Sequence, residues 1–232
     1  MTQIIRLIVL GKQGAGKGTQ CIRLSRHYVI EHIATGDMLR AAVKLGTKVG
    51  LEAAEYMEKG ELIPDDIVIR LVQERTSTGI AHERGFVLDG FPRNVHQAEM
   101  LDDLLTPESL DAVVDLRVPT NLVLKRIASR RVCADCGTTY STAKPPRVDW
   151  ICDNCGGEVV QRDDDTEAAI QRRLDLYEKE TKPLIAFYRE HGKLIEISGV
   201  GQEEIVSRRL IMAIDKILRQ KTTRISADGD NK

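Results

Sequence analysis

An apolar run at residues 4–10, Ile-Ile-Arg-Leu-Ile-Val-Leu, leads directly into Gly11-Lys12-Gln13-Gly14-Ala15-Gly16-Lys17-Gly18-Thr19. The run is β-branched and aliphatic with a single charge, which suits a strand buried on both faces of a parallel sheet. The glycine stretch fits G-x-x-x-x-G-K and opens a helical pattern over about 17–27. In this strand–loop–helix setting, glycines let backbone N–H groups curl around phosphate oxygens. The helix N-terminus adds partial positive charge and Lys17 a full one. Gly14, Ala15, Gly16, Lys17, Gly18 and Thr19 are therefore candidates to bind a nucleoside triphosphate; the competing reading is a glycine-rich turn with a solvated lysine. The residue after the lysine is Gly18, where a P-loop usually has Ser or Thr, and the hydroxyl comes one place later at Thr19. Asp89, at the end of an apolar strand, is then the natural candidate to hold Mg²⁺ through water, although Asp89-Gly90 alone also reads as a turn.

Further strand patterns fall at 29–34, 86–88, 112–118 and 194–197. Helical patterns fall at 38–44, 48–59, 64–76, 95–105, 119–130 and 203–219. Their alternation predicts an α/β fold of the P-loop nucleoside triphosphate hydrolase type, a parallel sheet flanked by helices. The polar tail from Lys221 is expected to fray. With 232 residues, 42% hydrophobic and 30% charged, the chain has ample material for a core. Lys and Arg number 34 against 35 Asp and Glu, a net charge of −1. That balance supplies no general field for nucleic acid or an anionic membrane, and three Phe, five Tyr and one Trp offer few stacking platforms. No apolar run approaches the roughly 20 residues of a membrane helix. The opening run lacks a small-residue cleavage site, so a cytoplasmic protein is expected.

Residues 132–160 break the pattern. They contain Cys133-x-x-Cys136 and, fifteen residues on, Cys152-x-x-Cys155, the spacing of a four-thiolate zinc site. Four protein ligands leave no open coordination position, so such a Zn²⁺ is structural. Two disulfides or free thiols are the alternative, disfavoured in a reducing compartment. The fifth cysteine, Cys21, reads as a small buried residue. A zinc ribbon also raises a nucleic-acid reader, but Asp135, Asp149 and Asp153 offset Lys144 and Arg147, which favours a rigid insert.

Arginines gather around this insert. Arg126 and Arg130 are four apart, one helix face if both are helical. Arg162 and Arg173 lie three helical turns apart, and Asp164-x-x-Glu167 resembles a capping box. Singly, each reads as a surface residue; with a P-loop, guanidinium forks match the oxygens of a phosphoryl group in transfer.

Taken together, the residues resemble the adenylate kinase family over nearly the whole chain to about Gly201. The resemblance rests on Gly16-Lys17-Gly18-Thr19-Gln20, on Ala34-Thr35-Gly36-Asp37-Met38-Leu39-Arg40, and on Asp89-Gly90-Phe91-Pro92-Arg93 with Gln97. The arginine pattern and Arg162-Asp163-Asp164-Asp165 complete it. The four-cysteine insert is similar to the lid of the long-lid, zinc-containing members. The resemblance implies one kinase domain over 1–232 with two closing inserts, 35–64 over AMP and 129–165 over ATP. It implies AMP contacts from Thr35, Arg40, Glu61, Leu62, Ile63, Gly90, Arg93, Gln97, Arg162 and Arg173. It further implies ATP contacts from the P-loop, Arg126, Arg130, Thr139, Tyr140 and Gly201, and catalysis by Lys17, Arg93, Arg126, Arg130, Arg162 and Arg173. Where the family more often has a small residue and proline, this chain has Lys12-Gln13, which places an added charge near the phosphates.

The implied reaction is Mg²⁺-ATP plus AMP giving two ADP, by a monomer with ATP, AMP and ADP as partners and neither nucleic acid nor membrane. Two other readings compete. One is a kinase for CMP, UMP or GMP, which Thr35 and Gln97 disfavour. The other is a nucleic-acid-dependent ATPase, which the charge balance disfavours.

Overall fold

The computed structural model describes residues 4–229, with side-chain detail through Lys221. Residues 1–3 and 230–232 lie outside the described residues. In chain order the elements are β1 (Ile5–Leu10), α1 (Lys17–Tyr28), β2 (Glu31–Ala34), α2 (Thr35–Lys44), α3 (Lys48–Lys59), α4 (Asp65–Thr76), α5 (Gly79–Arg84) and β3 (Gly85–Asp89). There follow α6 (Val95–Leu105), β4 (Ala112–Arg117), α7 (Thr120–Ser129), β5 (Arg130–Cys133), β6 (Thr139–Ser141) and β7 (Val159–Val160). The chain continues through α8 (Glu167–Leu176), a wide π turn (Tyr177–Thr181), α9 (Pro183–Glu190), β8 (Leu194–Ser198) and α10 (Glu203–Gly229).

The main sheet runs β2-β3-β1-β4-β8 and is parallel throughout. Alternation along its strands splits the core in two. Leu7, Val9, Val87, Val114 and Leu116 pack with Leu24 of α1, Val123 and Ile127 of α7, and Leu210 and Ile214 of α10. Ile8, Leu10, Phe86, Leu88 and Val113 face the other way, onto Val72 of α4, Leu101 of α6, and Leu184 and Tyr188 of α9. Burial on both faces is the reason these strands read as apolar runs. A small antiparallel sheet, β6-β5-β7, occupies residues 130–160, and its apolar cluster is no more than Cys133, Cys152 and Val159 backed by Tyr140 and Trp150.

The α/β class read from the sequence is the class observed, and several boundaries shift for physical reasons. Val29 takes a left-handed conformation (φ 54°) to end α1, so the second strand begins at Glu31. The following helix starts at Thr35 with Ala34 as its N-cap and no side-chain cap, where a turn at 35–37 was expected. Arg130 leaves the helix and begins β5, so Arg126 and Arg130 do not share a helix face. The expected capping box also does not form. Thr166 is the N-cap of α8, its hydroxyl accepting from Ala169 N, while Asp164 lies before the helix. Residues 162–166 are consequently not helical, so Arg162 lies before α8 and Arg173 within it, and both line the same cleft. Residues 79–84 and 176–190, which carry weak periodicity, are helical. The backbone of α10 runs to Gly229 instead of fraying from Lys221, since 221–228 contains neither Gly nor Pro to stop it.

Gly85 sets the register at the start of β3. It pairs with Ile5, has φ 103°, and a Cβ there would lie 1.9 Å from the Ile5 carbonyl oxygen. Gly85→Ala combines backbone strain with a backbone clash, and is expected to cost about 2–4 kcal/mol in urea unfolding without a change of fold by circular dichroism.

Candidate active site

Every parallel strand delivers its C-terminal end to one rim, and there a cleft of about 960 Å³ opens. The loop 11–16 crosses its floor. Gly14 has φ 78°, and a Cβ there would come within 2.6 Å of Ile127, so α7 and the loop interlock only around a glycine. Gly16 caps α1 with no side-chain hydrogen bond, leaving the helix N–H groups open to the cleft. A Cβ at Gly18 would stand 3.2 Å from Asp89 Oδ2. That approach accounts for the glycine after Lys17, because a larger side chain would crowd the carboxylate. Asp89 ends β3 facing α1, and Lys17 and His32 hold its carboxyl below the usual range against the opposing effect of burial.

Lys17 is buried and folds back, donating to the carbonyls of Gly11 (2.8 Å) and Lys12 (3.0 Å); burial lowers its pKa. The expected added charge at Lys12 is not delivered to the cleft. Its ammonium turns outward to Thr120 Oγ1 (2.7 Å) and Glu178 (3.0 Å). Gln13 does line the cleft, and its Nε2 donates to Asp165 Oδ1 at 3.0 Å.

The predicted arginines converge. Arg40, Arg93, Arg126, Arg130, Arg162 and Arg173 all line the cleft. Burial pushes Arg93 down to about 10, aided by the cations of Arg173 and Arg40. Burial likewise brings Arg162 to about 10, with Arg40 and Arg130 contributing. Both remain charged at neutral pH. Such crowding needs anions, and the chain supplies them. Arg130 Nε donates to Asp165 at 3.0 Å, and the Asp165 side chain is 1% exposed. Arg173 donates to Asp164 at 2.7 Å, and Arg40 Nη1 stands 3.7 Å from the same carboxylate. Asp37 accepts from Arg40 and lies 3.6 Å from Arg162. Burial opposes ionisation of Asp164, but Arg173, Arg40 and Arg162 together bring its pKa below the ordinary value. Arg126 instead braces the loop through the carbonyls of Ala15 (2.9 Å) and Gly199 (3.1 Å).

A recess beside the cleft is lined by Thr35, Leu62, Ile63, Gly90, Arg93 and Gln97, together with Leu39 and Val68. Gln97 is buried there and already engaged: its Oε1 accepts from Arg93 N (2.7 Å) and its Nε2 donates to Asp65 (2.6 Å). Thr181 of the π turn donates to Arg93 O at 2.7 Å and fixes the same loop. Glu61, Thr139, Tyr140 and Gly201 line the main cleft.

In the small sheet, Cys133 Sγ and Cys155 Sγ are 3.4 Å apart and Cys136 Sγ and Cys152 Sγ 3.5 Å, with all four within 4.8 Å of one another. These thiols are free, and their spacing suits one tetrahedral ion, where bonds of about 2.3 Å imply S···S of about 3.8 Å. Backbone N–H groups of Cys136 and Asn154 and the Tyr140 hydroxyl point at the sulfurs, as thiolates require.

The functional residues missed in the sequence are Asp37, Asp164, Asp165, Gln13, His32 and Asp65. Arginines called to one site imply carboxylates to hold them, but nothing in the spacing says which.

A phosphate loop opening onto a crowd of guanidiniums, in a cleft of about 960 Å³, is the geometry of a phosphotransferase with room for a donor and an acceptor. The adenylate kinase family model matches residues 9–193. The chain is similar to adenylate kinases of Syntrophobacter fumaroxidans (49% identical, covering 89% of this chain and 98% of that one) and Archaeoglobus fulgidus (47%; 92% and 99%). A third, from Moorella thermoacetica, is 50% identical over 84% of this chain and 91% of its own. The chain belongs to the adenylate kinase family, the phosphotransferases that interconvert ATP plus AMP with two ADP. Among the described residues no helix is long and apolar enough to cross a membrane.

The Gln13–Asp165–Arg130 chain sets where one guanidinium points. Asp165→Asn is expected to lower kcat about 10²-fold, and Gln13→Ala several-fold, in a coupled ADP-formation assay. An unchanged kcat in both variants would contradict this positioning role.

Proposed function

We propose that this chain transfers the γ-phosphoryl of ATP to AMP, with ATP on the P-loop and AMP in the part of the cleft lined by Arg40, Leu62, Ile63, Gly90 and Arg93. The observation that carries this reading is the set of guanidiniums held by Asp37, Asp164 and Asp165 at one cleft. Those carboxylates partly offset the positive charge, and bound nucleotides would exchange with them. Arg40 and Arg93 would take the AMP phosphate, with Arg162 and Arg173 between acceptor and donor. Lys17, Arg126 and Arg130 would gather charge on the ATP side. Thr35, Glu61, Leu62, Ile63, Gly90 and Gln97 would line the AMP pocket, and Thr139, Tyr140 and Gly201 the adenosine side of ATP.

The AMP phosphate is an anion at neutral pH and already nucleophilic, so the chain need supply no general base. What it supplies is alignment and positive potential in a water-poor cleft. Asp89 would hold Mg²⁺ through water, and the ion shields charge on the ATP phosphates. The segments 35–64 and 129–165 would close over AMP and ATP respectively, excluding water that would otherwise accept the phosphoryl group. Besides Arg40–Asp164 and Asp37–Arg162, which bound phosphates would compete for, one contact between them, Lys44 with Asp135 at 3.2 Å, is exposed on both sides. It contributes at most about 1 kcal/mol, weak enough to open each cycle. The four thiolates would hold a structural Zn²⁺, replacing the apolar core that the lid lacks. We further propose a cytoplasmic monomer with no nucleic-acid partner.

Arg93→Ala is expected to reduce ADP formation about 10³-fold or more while ATP affinity stays within a few-fold. Normal turnover in that variant would remove the assigned role. Metal analysis should find about one zinc per chain, and Cys133→Ser should lower Tm more than it lowers the rate at a permissive temperature. A metal-free protein of unchanged Tm would sink the lid assignment.

A further inference from the structure

The reaction makes no use of Cys21, yet its environment is not that of a bland core residue. Cys21 is fully buried on α1, one turn beyond Lys17. His32 lies on β2, and its partner in register is Val87, two residues before Asp89. That register turns His32 and Asp89 toward the same side of the sheet, the α1 side. The Cys21 sulfur, a His32 ring nitrogen and an Asp89 oxygen lie within 4.8 Å of one another. His32 Nε2 is 3.6 Å from Asp89 Oδ2 and, although buried, has no hydrogen-bond partner. His32 and Asp89 line the cleft floor, which gives an ion a way in.

We propose that Cys21, His32 and Asp89 form a second cation site, separate from the four-cysteine lid, that takes a soft divalent cation such as Zn²⁺ in the nucleotide-free enzyme and blocks phosphoryl transfer. Metal–ligand bonds of about 2.0–2.3 Å in a tetrahedron put ligand atoms about 3.3–3.8 Å apart. The His32–Asp89 pair already has that spacing, and Cys21 needs a small side-chain shift. One sulfur, one nitrogen and one oxygen select Zn²⁺, Cd²⁺ or Co²⁺ over Mg²⁺, which prefers oxygen alone. Binding displaces the Cys21 thiol proton to solvent. The neighbouring Lys17 and Arg93 oppose any cation held by charge alone, so the thiolate bond is what makes the site competent. A filled site engages Asp89, the carboxylate assigned to hydrated Mg²⁺. The inhibitory part of the proposal rests on the adenylate kinase reading above, and the binding part does not.

The test is titration of the nucleotide-free, lid-loaded enzyme with Cd²⁺, following thiolate-to-metal charge-transfer absorption and zinc release, with ADP formation measured in parallel. Wild type should take up about one Cd²⁺ without releasing lid zinc, and lose activity in step. Cys21→Ala should keep its uninhibited turnover and lid zinc but lose both the absorption and the inhibition. His32→Gln should weaken binding about tenfold or more, and excess Mg²⁺-ATP should protect wild type. Equal uptake and inhibition in wild type and Cys21→Ala would overturn the proposal, as would zinc release accounting for all of the uptake. Uptake at Cys21 without inhibition would uphold the site and overturn the role given to Asp89.

Discussion

Six guanidiniums and one ammonium crowd the rim of a single parallel sheet, and their mutual repulsion is the constraint around which this molecule is organised. Arg93 and Arg162 are brought down to about 10 by burial and by each other's neighbours. Arg162 is offset by Asp37 at 3.6 Å and Arg93 donates its Nε to the Gly90 carbonyl at 2.8 Å, since an uncompensated buried charge costs several kcal/mol. Asp165, almost wholly buried against Arg130, is the most committed of the partners. Asp37 and Asp164 are shared among Arg40, Arg162 and Arg173 at longer range, a looser arrangement suited to exchange with phosphate.

The rest of the architecture delivers those charges. The parallel sheet brings the P-loop, Asp89 and the loop after β3 to one edge. The turn from β7 into α8 carries Arg162, Asp164 and Asp165, and α8 adds Arg173. Residues 130–160 contribute little apolar surface of their own, and their four thiols cluster within 4.8 Å of one another. The same sheet edge sets Cys21 beside His32 and Asp89, where the chemistry of a soft cation and that of hydrated Mg²⁺ compete for one carboxylate.

Much of this was legible in the sequence because several signals are local. The run at 4–10 and the glycines that follow define a strand, a loop and a helix by themselves, and C-x-x-C pairs state their own geometry. The arginines were legible as a set through family resemblance. Their mutual geometry was not: Arg130 falls in a strand, and Arg162 lies outside the helix that carries Arg173. Lys12 illustrates the limit well. Its position beside the loop suggested a charge on the phosphates, yet Glu178, far along the chain, draws it outward. The carboxylate partners escaped notice for the same reason, since the Gln13–Asp165 hydrogen bond spans 152 residues and the Arg130–Asp165 ion pair 35, and neither leaves a periodic trace.

A cleft built for two nucleotides has to protect the phosphoryl group from water. Initial rates of ADP formation from Mg²⁺-ATP with AMP, CMP, UMP, GMP or no acceptor test it most directly. The predicted result is fast turnover with AMP, much slower turnover with the other monophosphates, and negligible hydrolysis without an acceptor. Preference for another monophosphate would contradict the assigned AMP pocket, and rapid acceptor-free hydrolysis would contradict the claim that the closed cleft excludes water.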